Sequence, residues 1–196
     1  MEQGKYTLAG WAAIISALTL LVATAISIYH DVIYTPALSE GSGDFRLILV
    51  ALAIDVVSTL LGIYAILKFR QLLGERYDFH AVDNLIIILI FAGLVISGIA
   101  YAGRLVSQNL PFVFILAFAG IGVGIIGIIF ALRLLKVPGS LNGYLKPLAY
   151  TQLIGSICFT LVFLAPVGMI LMMVFNVLLG AIFLSSDDTL ERVDFV

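Results

Sequence analysis

A carboxyl group sits near the centre of an apolar run. Asp55 lies inside Leu47–Leu67, a stretch of Leu, Ile, Val and Ala relieved only by Ser58, Thr59, Gly62 and Tyr64. A bilayer-spanning helix needs roughly 20 apolar residues, and an ionisable side chain at its centre costs about 2.5–3.5 kcal/mol on insertion scales. Two kinds of chemistry offset such a cost. Held neutral by desolvation, Asp55 fixes helix register through a hydrogen bond. Exchanging a proton or meeting a cation, it serves the coupled transport of a small solute. Partners are available at similar depth in Asn176, Ser16 and Thr19, and Ser58 shares the face of Asp55 at the i+3 spacing. Asp55, Asn176, Ser58 and Thr19 are therefore the candidate intramembrane polar site. The absence of a second acid or a base at that depth weighs against transport.

Catalytic constellations are missing. Serine chemistry in a membrane needs a His or Lys base beside the nucleophile, and neither His30 nor His80 falls in an apolar run. The sequence has no HExxH pattern and no pair of membrane aspartates. Its single cysteine, Cys158, has no Cys or His at metal-ligand spacing. No catalytic residue, metal or cofactor is expected. The string Gly122-Val123-Gly124-Ile125-Ile126-Gly127 matches a dinucleotide fingerprint in letters alone. That fingerprint requires a preceding strand and a helix N-terminus aimed at a pyrophosphate, whereas these glycines lie inside an apolar helix. Gly120, Gly124 and Gly127 are better read as a packing surface, because small residues let membrane helices approach closely. Gly93, Ser97 and Gly98 on the preceding helix are the expected neighbours, with a second subunit as the alternative.

The elements that must position these residues follow from composition. Hydrophobic residues make up 62% of the 196-residue chain and charged residues 11%, with a mean hydropathy of +1.18. Soluble chains carry roughly 25% charge, so the solvent for this surface must be lipid. The net charge of −2 implies no nucleic-acid partner. A signal peptide is rejected for the first apolar run, which is too long for an h-region.

The fold expected is an all-α bundle of six membrane helices in one domain, at about 8–29, 47–67, 85–103, 110–132, 145–164 and 167–184. The last two come from one block, Leu145–Leu184. Its 40 residues would make a helix of roughly 60 Å, twice the hydrocarbon thickness. Ala165-Pro166-Val167-Gly168 divides it into a hairpin, since proline disfavours helix at the residue before it. A single kinked helix is the alternative. Six helices put Lys5, Lys68, Arg70, Arg76, Arg133, Lys136, Lys146 and Arg192 on one side, and Arg46 and Arg104 on the other. The basic side should be cytoplasmic. Both termini then face the cytoplasm, the membrane being a plasma membrane, the inner one in a bacterium. Residues 30–44 should form an outer loop, 70–82 an inner loop at the interface, and 185–196 a short acidic tail.

A weak internal similarity aligns Ser58-Thr59-Leu60-Leu61-Gly62 with Val123-Gly124-Ile125-Ile126-Gly127 and Asn176-Val177-Leu178-Leu179-Gly180. Three related helical hairpins would produce it, and so would the limited alphabet of membrane helices. Expected partners are lipids and either further copies of the chain or a larger membrane protein. The first functional expectation is a non-catalytic oligomeric scaffold or accessory subunit. The second is a small-solute or proton- or cation-coupled transporter using Asp55.

Overall fold

The computed structural model describes residues 5–34, 45–105, 110–138, 141 and 143–191. Of the expected outer loop, 30–44, residues 30–34 instead continue the first helix, and 35–44 lie outside the described residues, as does the end of the tail, 192–196. Among the described residues there are six α-helices: α1 (Thr7–Tyr34), α2 (Phe45–Tyr77), α3 (Asp83–Leu105), α4 (Leu110–Leu134), α5 (Leu145–Thr160) and α6 (Ala165–Glu191). Five contain stretches long and apolar enough to cross a membrane: Thr7–Tyr29, Leu49–Tyr77, Asp83–Ala102, Phe114–Leu134 and Val162–Ser185. Their outward surfaces are apolar, with Phe91, Phe118 and Phe163 each at least 70% exposed. Such rings belong against lipid chains, and the protein is membrane-embedded.

Helices α2 and α6 are longer than the apolar runs imply. The expected inner loop at 70–82 is helical up to Tyr77. The reason is amphipathic: Phe69, Leu72 and Leu73 are fully buried, while Lys68 bonds Gln71, which bonds Glu75, along the outer face. The helix ends in a left-handed αL cap at Asp78. Asp78 takes a positive φ of 49°, the Asp78 N–H donates to Gly74 O and the Phe79 N–H to Leu73 O, and last-turn carbonyls are thereby satisfied. Helix α6 likewise continues through the start of the expected tail to Glu191.

The division of the 145–184 block lies slightly before the proline. Helix α5 stops at Thr160, a 3-10 turn covers Val162–Leu164, and α6 starts at Ala165. Pro166 is the second residue of α6, where an N–H would lack an intrahelical acceptor anyway.

Consecutive packed helices run in opposite directions, and small residues sit at the crossings. Helix α1 meets α2 through Ser16 and Ser58. Each hydroxyl donates to the other residue's carbonyl, at 2.9 and 2.8 Å. Helix α1 crosses α6 at Gly10 and Gly180, where a Cβ on Gly180 would lie 3.0 Å from Gly10 O. Helix α5 crosses α6 at Gly155 and Gly168, with a Cβ on the latter 3.2 Å from Gly155 O. The packing order around the bundle is α3, α4, α5, α6, α1, α2, and α2 touches α3 only sparsely to close the ring.

Burial is uneven along the bundle axis. The continuous core gathers Tyr6, Ala9, Phe69, Leu72, Phe130, Leu134, Leu148, Leu179 and Phe183. These residues belong to the half nearest the basic boundary. A polar rim closes that end: the Lys5 ammonium lies 2.8 Å from Glu75, the Tyr6 hydroxyl donates to Glu75 at 2.6 Å, and the Arg70 guanidinium pairs with Asp83 at 3.0 Å. Arg133 donates to Ala81 O at 2.6 Å. The other half has few fully buried large side chains, and a cavity begins there.

Candidate functional site

Helices that are close-packed at one end and spread at mid-depth leave a hollow between them. Its volume is about 300 Å³ and all six helices contribute to its wall. Two walls are mainly apolar: α2 presents Gly62, Ile63 and Ile66, and α3 presents Leu89, Ile90 and Gly93. The polar groups are Ser16, Ser58, Thr59, Ser97, Gln152, Ser156 and Asn176. None of them ionises, so the described lining carries hydrogen-bonding capacity without charge.

Local structure decides which of these groups are already used. Ser16 and Ser58 spend their hydroxyls on one another's backbone. Gln152 is only 5% exposed, and its amide donates to Ser156 Oγ at 3.2 Å. That bond spans one turn of α5 and turns the carboxamide along the helix surface. No hydrogen bond to the Asn176 side chain exists among the described residues. Its amide, half-buried on α6, is open to a guest with a donor or an acceptor. An amide left unpaired in an apolar medium is costly, so a polar guest gains from meeting it.

The four residues expected to form one polar site are distributed differently. Ser58 and Asn176 both line the cavity. The Thr19 hydroxyl folds back onto its own helix, donating to Ile15 O at 2.8 Å and lying 3.1 Å from Ser16 O. Asp55 is half-buried, lies on the α2 stripe that includes Ala51 and Ser58, and is one turn from Ser58. It has an interaction partner but is not part of the cavity wall. The expected bond from Asp55 to Asn176, Ser58 or Thr19 is not among the bonds those three residues make.

The glycine surface divides in the same way. Gly124 and Gly127 are buried against α5. A Cβ on Gly124 would lie 2.8 Å from Ser156 O and Thr160 N, and one on Gly127 would meet Ser156. Gly120 faces open space, with nothing within 4 Å of a Cβ there. The neighbour of this surface is thus α5, in place of the expected Gly93, Ser97 and Gly98. Gly93 and Gly98 have nothing within 4 Å of a Cβ either. Helix α4 turned toward α5 because Ser156 and Thr160 offer a low surface that two glycines can fit.

No protein-family model, no curated protein and no solved structure matches this chain. Gln152, Ser97 and Thr59 all line the cavity. A glutamine inside an apolar segment was the available signal, and it marks the bundle interior correctly. Among the described residues no group of three His, Cys, Asp or Glu side chains is placed to hold a metal ion.

Proposed function

We propose that this protein is a transporter of small uncharged molecules, with the mid-bundle cavity as its binding site and Asp55 as its proton-coupling group. The observation that carries the reading is the hollow walled by six helices, polar in part and without an ionisable group in its described lining. Pockets for small ligands are mostly apolar with a few placed polar groups, and this one fits that description. The absence of charge selects against ions, which would lose their hydration shell without compensation. Asp55 supports coupling through its position one turn from Ser58, on the α2 stripe that reaches the cavity. A proton arriving there alters the charge on the helix that forms one cavity wall.

In this reading all six helices span the bilayer. Helix α5 contributes about 24 Å from its 16 residues, and the 3-10 turn adds roughly 6 Å. The two together match the hydrocarbon thickness of about 30 Å. The basic boundary faces the cytoplasm, with the packed core as the closed side of the vessel.

The test is concentrative movement. Vesicles containing the protein receive an imposed proton gradient, and a labelled uncharged solute is followed past its equilibrium distribution. Asp55→Asn should abolish the driven component and leave the protein folded. Asn176→Leu should weaken solute binding. A gradient that drives nothing in the wild type would remove the transporter reading. A second reading, an oligomeric scaffold, draws on Gly98, Gly120 and Gly122, whose would-be Cβ positions meet nothing within 4 Å. These glycines allow another helix to approach α3 and α4 closely. Leucine at Gly120 and Gly122 together should then dissolve any crosslinked oligomer.

A further inference from the structure

We infer that the cavity is open sideways to the hydrocarbon layer through the seam between α2 and α3, and that its occupant is a small uncharged amphiphile drawn from the bilayer. The inference rests on the cavity being a binding site and adds the substrate class and the route.

Helix α3 is the least embedded of the six. Along its described length only Ile86 is buried, close to the basic end. There it is firmly held: Asp83 pairs with Arg70 at 3.0 Å, His80 Nδ1 lies 3.1 Å from Asp83, and Val82 joins the core. Towards the opposite end the Tyr101 hydroxyl reaches Ala51 O on α2 at 3.4 Å, beside a further interaction of Tyr101. Between these two ties, both helices line the hollow, and contact between them is sparse. Two helices fastened near their ends and separated in the middle form a slit.

The slit faces lipid. Leu94 belongs to the cavity wall and is 46% exposed, which puts it at the mouth. Beside it, Gly93 leaves a gap that no neighbouring atom fills within 4 Å of a Cβ. The depth of this mouth is the middle of the apolar stretches of α2 and α3, where the medium is acyl chain. Access from the basic end is closed by the packed residues that include Phe69, Phe130 and Phe183.

The chemistry of the walls orients the guest. Asn176 and Gln152 lie on α6 and α5, across the ring from the seam. Near the seam the wall is mainly Ile63, Leu89 and Ile90, with only the hydroxyls of Thr59 and Ser97 on those helices beside the paired Ser58. A molecule entering tail-last would place a hydroxyl or amide against Asn176 and leave its apolar part along α2 and α3. At about 30 Å³ for a water-sized group, 300 Å³ accommodates on the order of ten non-hydrogen atoms. A medium-chain alcohol or a small phenol has that size and polarity.

Two measurements test this. In the first, Trp11→Phe is combined with Gly93→Trp, and the protein is placed in phosphatidylcholine vesicles with brominated acyl chains. The Trp fluorescence should fall by at least half relative to ordinary lipid, while aqueous acrylamide has little effect. The exposed Gly98→Trp variant serves as the lipid-facing control. In the second, a diazirine-bearing octanol is photolysed with the unsubstituted protein, and labelled peptides are mapped. Labelling of α6 around Asn176 should saturate, compete with octanol and not with octanoate, and fall at least tenfold in Asn176→Leu. Quenching by acrylamide without quenching by bromolipid would overturn the lateral route and leave the cavity reading intact. Absence of saturable octanol labelling would overturn the amphiphile assignment. If a diazirine-bearing propanediol saturably labelled the same peptides instead, the cavity would remain a site for a water-borne solute. If neither probe labelled them, the binding-site reading would fall as well.

Discussion

Adding one methyl group at Gly124 should destabilise the bundle, and adding it at Gly120 should not. The two positions are one helical turn apart and form a GxxxG pair. At Gly124 a Cβ would come within 2.8 Å of two backbone atoms of α5, whereas ordinary contact begins at 3.4 Å. Backbone cannot rotate away, so α4 and α5 must part by about 0.6 Å locally. A gap of that order forfeits roughly a quarter to a half of the dispersion well for each atom pair across the crossing. Overpacking of this kind typically costs about 1–3 kcal/mol. Alanine also gains up to about 1 kcal/mol over glycine in helix propensity. That gain is common to both sites, so the difference between Gly124→Ala and Gly120→Ala isolates the crowding term at about 1–3 kcal/mol. Reversible unfolding in mixed micelles, titrated with sodium dodecyl sulfate, measures it. Equal stabilities, or a larger loss at Gly120, would refute the assignment of α5 as the partner of α4.

Other consequences are smaller or qualitative. Ser16→Ala and Ser58→Ala should each destabilise the α1–α2 contact, and their double-mutant cycle should show a coupling near the membrane average of about 0.6 kcal/mol, with about 1.7 as its upper bound. Gly180→Leu should be more damaging than either, because even a Cβ there would lie 2.7 Å from Ile14 and 3.0 Å from Gly10 O; loss of the folded fraction by size-exclusion chromatography would report it. Lys5→Ala removes an ion pair whose partners are 38% and 42% exposed, and its cost should stay below about 1 kcal/mol and shrink further at high salt. Micelle unfolding at low and high ionic strength checks this.

The helices were legible because lipid demands long apolar runs, and each run carried its own length. Their ends were less so. The stretch after Leu67 has the amphipathic period of a water-facing helix, and its charges disguised the continuation to Tyr77. The turn between α5 and α6 was placed near Pro166, yet it forms earlier, since proline at the start of a helix is harmless. Which faces meet was not legible at all. Gly120 and Gly124 are the same letter in the same motif, and only the position of α5 makes one of them a contact. The cavity is harder still to read, because it exists where side chains fail to meet. Asp55 drew attention by its charge, while the groups that line the hollow are hydroxyls and amides whose cost in a membrane is modest.

The crossing of Gly10 with Gly180 has a consequence for biosynthesis. It joins α1 to α6, with about 170 residues between them. At a synthesis rate of roughly 5–20 residues per second, α1 waits on the order of 10–30 s for this partner. During that interval its glycine groove is bare to lipid and to any insertion or quality-control machinery that recognises unpaired helices. A chain truncated before α6 can place α1 against α2 through Ser16 and Ser58, but it cannot close the ring. Closure of the ring is thereby coupled to the synthesis of α6, and its arrival ends the wait of α1.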